Sequence, residues 1–435
     1  MDPRETILSR PMGWFQIAAV TLCIALNALD GFDVLSISFA SPGIAAEWGI
    51  DRAALGIVLA MELIGMAIGS VLLGNVADRI GRRPMILGCL VVMSAGMLLA
   101  ATADDVVILS AYRLFTGLGI GGMLAAINAM TAEFSSRKRR ALAVSLMAAG
   151  YPIGAVLGGS VASMLLASYD WRAVFVFGAL VTVAFIPLVW FMLPESIEFL
   201  IHKRPADALA RVNRTLGRMG HPPVERLPDP EPDSPKASMA RLFAPGMARL
   251  TILLTIAYFL HIMTFYFVLK WIPKIVVDMG FAPSSAGGVL VWANVGGALG
   301  ALLFGLLTQK IRLQPLIITF LVISAIMVTV FGRVQPDLTQ LALVTAVAGF
   351  FTNAVIVGLY ALFAQSFPTE LRAGGTGFAI GTGRGGAALG PVVAGFLFAA
   401  GYGLSGVAMA MAAGSLLAAV AIFALRMPRA EAARA

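Results

Sequence analysis

Charge is scarce in this chain. Only 12% of its 435 residues are charged, about half the ~25% typical of a soluble domain. Cysteine is nearly absent, and the two present, Cys23 and Cys89, fall inside apolar runs without ligand-like spacing. That excludes a disulfide framework and a thiolate metal site, and both read as small packing residues. The three histidines, His202, His221 and His261, have no metal spacing, and no nucleophile motif accompanies them, so the composition points away from an enzyme and from a cofactor. No folded output domain is visible either, which argues against a sensor. No cleavable signal peptide is expected, because the first apolar run, from about Trp14 to Ala40, is too long for a signal core.

Apolar residues make up 59% of the chain, and mean hydropathy is +0.89. They come in runs of the ~20 residues that a helix needs to cross a bilayer. The patterning predicts spans at 14–38, 53–76, 84–103, 107–132, 141–167 and 171–193, then at 249–273, 285–308, 314–333, 339–365, 374–400 and 403–426. The expected fold is an all-α membrane protein with twelve transmembrane helices in two pseudo-symmetric six-helix halves, residues 1–193 and 247–435, joined by a cytoplasmic linker over 194–246. Within the linker, Ala206 to Met219 has the pattern of a basic amphipathic surface helix. Pro228 to Pro235 alternates proline with acids and cannot hold a helix.

The net charge of +8 invites a nucleic-acid reading, but the basic residues sit in short loops between apolar runs. Arg79, Arg82 and Arg83 lie in one such loop, and Arg137 to Arg140 in another. The opposite loops are acidic or sparse, with Glu47, Asp51, Asp104 and Asp105. The positive-inside rule then puts both termini and the linker in the cytoplasm, and makes the partner a lipid bilayer rather than nucleic acid.

The halves repeat. Gly74 to Pro84 ends the second span, and Gly305 to Pro315 ends the eighth, 231 positions later. Gly150, Gly154, Gly158 and Gly159 in the fifth span match Gly386, Gly390, Ala394 and Gly395 in the eleventh, 236 positions later. Near-equal offsets at corresponding helices imply two copies of one ancestral unit.

At these residues the chain resembles the major facilitator superfamily. Gly74–Pro84 is similar to that superfamily's signature between helices 2 and 3, Arg113–Gly122 to its helix 4 signature, and Leu193-Pro194-Glu195-Ser196 to its mark after helix 6. The second copy of the loop signature departs from the pattern, with Gln309 in place of the acid and Leu313 in place of an arginine. The glycines of the fifth span resemble the antiporter signature, but Ala155 replaces its proline, which favours uptake over efflux. Leu29-Asp30-Gly31-Phe32-Asp33 and Ala45-Ala46-Glu47-Trp48-Gly49 resemble the aromatic acid:proton symporter family. The resemblance implies a monomeric bacterial inner-membrane transporter importing a small aromatic carboxylate with protons. Efflux, or transport of a sugar or another organic acid on the same fold, stays open at this stage.

Asp30 and Asp33 lie three apart in the first span, on one helix face. An intramembrane acid marks function unless it is solvated at the helix end, and two so close cannot both ionise freely. They are the proton-coupling candidates. Arg113 lies ~9 Å below the outer end of its helix and Asp33 ~7–8 Å below its own, so the two match in depth. An Asp33–Arg113 pair is expected, either structural or releasing the guanidinium to an anion when Asp33 is protonated. Arg384 falls ~15 Å deep among glycines, where it reads either the substrate carboxylate or the acid Glu62. His261 is a ligand contact or a satisfied packing residue. Tyr258, Tyr266, Asn294 and Asn353 complete the substrate-binding candidates. Asp78, Arg82, Arg83, Glu133, Arg137, Glu195, Glu370 and Arg372 flank the cytoplasmic helix ends, and their interspersed acids suggest a gating latch rather than topology alone.

Overall fold

A computed structural model describes residues 2–228, 239–368 and 371–425. Most of the proline-rich stretch of the linker, and Glu370, lie outside the described residues. Among the described residues there is no strand. In chain order the helices are α1 (Pro3–Ser9), α2 (Trp14–Trp48), α3 (Arg52–Ile80), α4 (Arg82–Ala101), α5 (Val106–Glu133), α6 (Arg140–Leu165), α7 (Arg172–Met192), α8 (Ile197–Lys203), α9 (Ala208–Arg218), α10 (Ala248–Asp278), α11 (Pro283–Leu307), α12 (Leu313–Phe331), α13 (Leu338–Ser366), α14 (Arg372–Ala399) and α15 (Leu404–Phe423). The twelve long ones, α2–α7 and α10–α15, coincide with the twelve expected spans. Eleven are long and apolar enough to cross a bilayer. The twelfth, α14, carries Arg384 within a glycine run that lowers its hydropathy. The amphipathic segment of the linker forms α9.

Several spans run further than hydropathy indicates. The first extends to Trp48, so α2 has 35 residues and a length of ~52 Å, well beyond the ~30 Å hydrocarbon core. Its end is fixed by Gly49, which caps it with φ +59. Glu47, in the last turn, accepts from the Trp171 indole at 2.7 Å and from both terminal nitrogens of Arg172 at 2.8 Å. Those bonds pin the end of α2 to the start of α7, so the motif around Glu47 has a structural task.

The chain forms two compact units. Unit 1 comprises residues 1–50, 61–234 and 282–291; unit 2 comprises 51–60, 235–281 and 292–435. Thus the first turns of α3 pack with unit 2, and the first turns of α11 with unit 1. In unit 1, α2 packs on α6, α5 and α7, and α4 packs on α5 and α7. In unit 2, α10 packs on α14, α13 and α15, and α12 packs on α13 and α15. The second set of neighbours is the first displaced by six long helices, as the repeated motifs require. The caps repeat as well: Asp105 accepts from Val107 and Ile108 amides at the start of α5, and Asp337 from the Gln340 amide at the start of α13.

Lipid tails supply no hydrophobic drive between helices, so contact is won by close backbone approach at small residues. The α2–α6 contact does this at Gly154, where an added Cβ would lie 1.7 Å from the Ala28 carbonyl oxygen. Gly154→Ala should therefore cost ~1–3 kcal/mol of stability. Gly88→Ala, where a Cβ meets nothing within 4 Å, should be nearly neutral. Thermal unfolding of the two purified variants in detergent checks the contrast.

Candidate functional site

The Asp30–Asp33 segment is built by its two middle residues. A Cβ at Gly31 would lie 2.0 Å from the Tyr151 carbonyl oxygen, so glycine lets α6 close on α2. Phe32 fills the gap beside Gly158 and Gly178 and meets Phe177 edge-on at 5.3 Å. With α2 clamped on that side, Asp30 and Asp33 are both buried, at 2% and 0% exposure.

Arg113 of α5 reaches the same place and is itself fully buried. Its Nη2 donates to the Asp33 main-chain carbonyl at 2.9 Å, its Nη1 approaches the Met97 sulfur at 3.0 Å, and its guanidinium stands 5.2 Å from the Phe175 ring centroid. The structure thus brings Arg113 and Asp33 together, as the matched depths predict, but through the backbone. The carboxylate that takes the guanidinium is that of Glu62, also fully buried. This revises two expectations: the ion pair is Arg113–Glu62 rather than Arg113 with the Asp33 carboxylate, and Glu62 is engaged inside unit 1 rather than held for Arg384. The reason is local: Gly65 and Gly117 let α3 and α5 touch, a Cβ on Gly117 falling 2.1 Å from the Glu62 carbonyl oxygen. The Asp33 carboxylate oxygens make no hydrogen bond, yet lie within electrostatic reach of Arg113 and Glu62. One guanidinium therefore stands beside two buried acids, Glu62 and Asp33.

In unit 2, Tyr258 of α10 is buried, and its hydroxyl meets that of Tyr360 at 3.1 Å. Gly383 faces the Tyr258 ring, where a Cβ would lie 2.0 Å away, and Arg384 beside it is half-buried and within electrostatic reach of Tyr258. Arg384, Tyr258 and Tyr360 form one group. Tyr360 escaped the sequence reading because its helical run resembles any packed apolar stretch.

His261 is satisfied on both sides. One ring nitrogen lies 2.8 Å from the Thr352 carbonyl and therefore carries the proton; the other accepts from the Ser415 hydroxyl at 3.0 Å. It ties α10, α13 and α15 together and has no ring nitrogen left for a ligand, so the packing reading replaces the ligand one. Asn353 likewise donates to the Gly297 carbonyl at 2.8 Å, holding α13 to α11. Asn294 is buried in α11 and Tyr266 is half-buried in α10. Lys270 of α10 is a fully buried cation that hydropathy alone does not flag.

The residues at the other helix ends also sort themselves. Gly81, at φ +107, turns the chain from α3 into α4 so that the Arg82 and Arg83 amides donate to Glu195 at 2.9 and 3.3 Å. Arg82 pairs with Glu133 at 3.1 Å, Ser196 bonds Glu133, and Arg83 donates to the Trp190 carbonyl at 2.6 Å. This network lies wholly within unit 1. Arg137 instead pairs with Glu5 of α1 at 3.3 Å, because its backbone amide is held by the Leu8 carbonyl. Asp78 and Arg372 are exposed, and Glu370 lies outside the described residues. Among the described residues the candidates form a unit 1 brace around Glu133 and Glu195, a separate Arg137–Glu5 pair, and exposed ends at Asp78 and Arg372.

The family model of the Major Facilitator Superfamily matches residues 22–244 and 254–435. The chain is 32% identical over 412 residues to the 3-(3-hydroxy-phenyl)propionate transporter of Escherichia coli, covering 94% of each chain. It is 30% identical over 406 residues to the gallate transporter of Pseudomonas putida, covering 93% of this chain and 90% of that one. It is 28% identical to a 4-hydroxybenzoate transporter of Pseudomonas putida, covering 97% and 95%. Among solved structures, the inward-open xylose transporter of Escherichia coli superposes with a TM-score of 0.73 at 18% identity, covering 96% of this chain and 98% of that one, a likeness of fold.

Removing one partner of a buried ion pair costs ~3–5 kcal/mol, because the other charge stays behind. Arg113→Gln should lose about that much, and Arg113→Gln with Glu62→Gln should recover at least half of it. Thermal unfolding of the single and double variants in detergent reads the difference.

Proposed function

The chain belongs to the major facilitator superfamily, and from that membership we propose that it imports a small aromatic carboxylate together with protons by alternating access. It is a multi-pass membrane transporter, as its family and relatives are. The substrate class rests on relatives named for gallate, 4-hydroxybenzoate and 3-(3-hydroxy-phenyl)propionate, each a ring bearing a carboxylate.

The observation that carries the reading is the charge count around Arg113. Asp33 is fully buried beside the Arg113–Glu62 pair, and its carboxylate makes no hydrogen bond. An intramembrane carboxylate with no hydrogen-bond partner, set beside an ion pair, is suited to taking up and releasing a proton. Asp33, whose carboxylate has no hydrogen bond, is the acid most open to proton exchange. Protonating it leaves the Glu62 carboxylate as the charge partner of Arg113, which keeps its bond to the Asp33 main-chain carbonyl. Losing its proton restores a second negative charge beside the guanidinium. A conformational equilibrium biased by the difference between these two charge states is a proton-driven one.

Substrate recognition is assigned to unit 2. Arg384 provides a cation on a glycine-rich helix, and Tyr258 and Tyr360 provide ring faces and hydroxyls beside it. A guanidinium matches a carboxylate with two parallel bonds, which lysine does not reproduce. In unit 1, the Arg82–Glu133–Glu195 brace fixes the turn that follows α3, and Asp78, exposed in the last turn of α3, is assigned to the gate.

Asp33→Asn and Asp30→Asn should each abolish accumulation of a radiolabelled hydroxybenzoate in vesicles with a pH gradient, while exchange counterflow persists. Normal accumulation in both variants would remove the acids from coupling. A panel including benzoates, hydroxybenzoates and sugars fixes the substrate class in the same assay.

Arg384→Ala should lose the preference for an aromatic acid over its uncharged amide, by about tenfold in binding, and Arg384→Lys should restore only part of it. Equal preference in wild type and Arg384→Ala would move carboxylate recognition to another cation.

A further inference from the structure

One end of unit 2, where α10 finishes and α3 begins, carries two cations that loop topology does not explain. On the orientation expected from the basic loops, Arg52 and Lys274 lie on the extracellular side, where arginine and lysine are normally depleted. They share one acid: Asp278 accepts from Arg52 at 2.9 Å and from Lys274 one helical turn before it. Asp51, the neighbouring acid, is occupied capping α3 through the Ala54 amide at 2.7 Å. Two cations on one carboxylate leave room for a second anion.

A cavity of about 190 Å³ opens beside this cluster, bordered by Arg52, Trp271, Asp278, Met279 and Phe398. Its volume is below the ~300–1,000 Å³ of drug-sized sites, which suits a single ring. Trp271 and Phe398 lie 5.0 Å apart at 48°, both nearly buried, and form an aromatic wall. The Trp271 indole N–H is spent on the Pro391 carbonyl at 3.1 Å, so that ring presents only its apolar surface to the cavity. The Arg52 guanidinium stands 5.1 Å from the Phe398 centroid, at the rim. Gly56 and Gly395 hold the arrangement tight: a Cβ on Gly56 would meet the Pro391 carbonyl oxygen at 2.6 Å, and one on Gly395 would meet the Arg52 carbonyl oxygen at 2.5 Å.

We infer that this cavity is a second binding site for a small aromatic carboxylate, with the ring against Trp271 and Phe398 and the carboxylate on Arg52. The inference rests on the aromatic-acid reading above for the identity of the ligand. The ligand's carboxylate takes over the guanidinium from Asp278, and Asp278 keeps Lys274 as its partner, so no charge is left alone. Because Arg52 belongs to α3 and Asp278 to α10, occupancy exchanges a bond between those two helix ends for a bond to the ligand. The site thus receives substrate at the rim before the deeper Arg384 group does, and loosens the α3–α10 tie as it does so.

The test is photolabelling of the full-length protein in nanodiscs with an azido-substituted benzoate, followed by peptide mapping. Peptides bearing Met279 and Phe398 should be labelled, and unlabelled benzoate should compete where benzamide does not. Arg52→Gln should reduce that labelling about tenfold. Asp278→Asn, which frees Arg52, should raise it several-fold, a gain that misfolding does not produce. Absence of label on those peptides, equal competition by benzamide, or labelling unchanged in both variants would overturn the site. Uptake of radiolabelled benzoates by wild type is measured alongside. Label without uptake contradicts the import reading and leaves the site standing; uptake without label removes the site alone.

Discussion

A polar group in hydrocarbon has no water to turn to, and every feature of this molecule answers that constraint. The backbone answers it by being helical across the twelve spans. The side chains answer it by bonding back to their own helices: Thr116, Thr131, Thr182 and Thr345 each donate to a carbonyl four residues earlier. Where a side chain is too long or too charged for that, it binds a neighbouring helix. Gln16 reaches the Phe134 carbonyl, Asn27 the Met147 carbonyl, and His261 the Thr352 carbonyl and Ser415 together. These bonds cross between helices that glycines have already drawn close. Polar satisfaction and glycine packing are therefore one device, since a longer separation would leave the acceptors out of reach.

The same constraint separates the polar residues into two kinds. His261, Asn353 and Glu47 have their hydrogen-bonding groups engaged, and their positions are explained by the contacts they make. The Asp33 carboxylate is different, being fully buried with electrostatic neighbours but no hydrogen bond. A group kept in that condition is costly, and the fold holds it there by packing Gly31 on α6 and Phe32 beside Gly158 and Gly178.

Much of this was legible in the sequence, for a physical reason. Hydropathy reports the lipid directly, so twelve spans and the surface helix α9 emerge from composition alone. The motif offsets expose the repeat, and matched helix depths bring Arg113 to Asp33. What pattern reading misses is rotation about the helix axis. Depth does not say which acid faces the guanidinium, and Glu62 on α3 wins because Gly65 and Gly117 bring α3 and α5 into backbone contact. The same limitation hides Tyr360 beside Tyr258 and the engagement of both His261 nitrogens. Helix ends are missed for another reason: α2 extends ten residues past its expected boundary because Glu47 is paid back by Trp171 and Arg172, partners distant in sequence.

The repeat provides its own control on the buried ion pair. In unit 1, the hydrogen of Gly117 faces the Glu62 carbonyl; in unit 2, that of Gly349 faces the Ala293 carbonyl in the same way. Glu62 therefore corresponds to Ala293, 231 positions on, the offset already set by the loop motifs. Arg113, four residues before Gly117, corresponds to Thr345, four before Gly349. Thr345 donates to the Leu341 carbonyl at 2.7 Å and to that of Ala342 at 3.1 Å. The second copy thus builds the same helix contact with an alanine and a threonine. The contact itself does not require a charge, and a buried pair that merely replaced apolar neighbours would add little to stability. What the pair adds in unit 1 is a fixed cation within reach of Asp33. The two units keep one scaffold and differ in the charges it carries, Glu62 and Asp33 beside Arg113 in the first and Arg384 beside Tyr258 in the second.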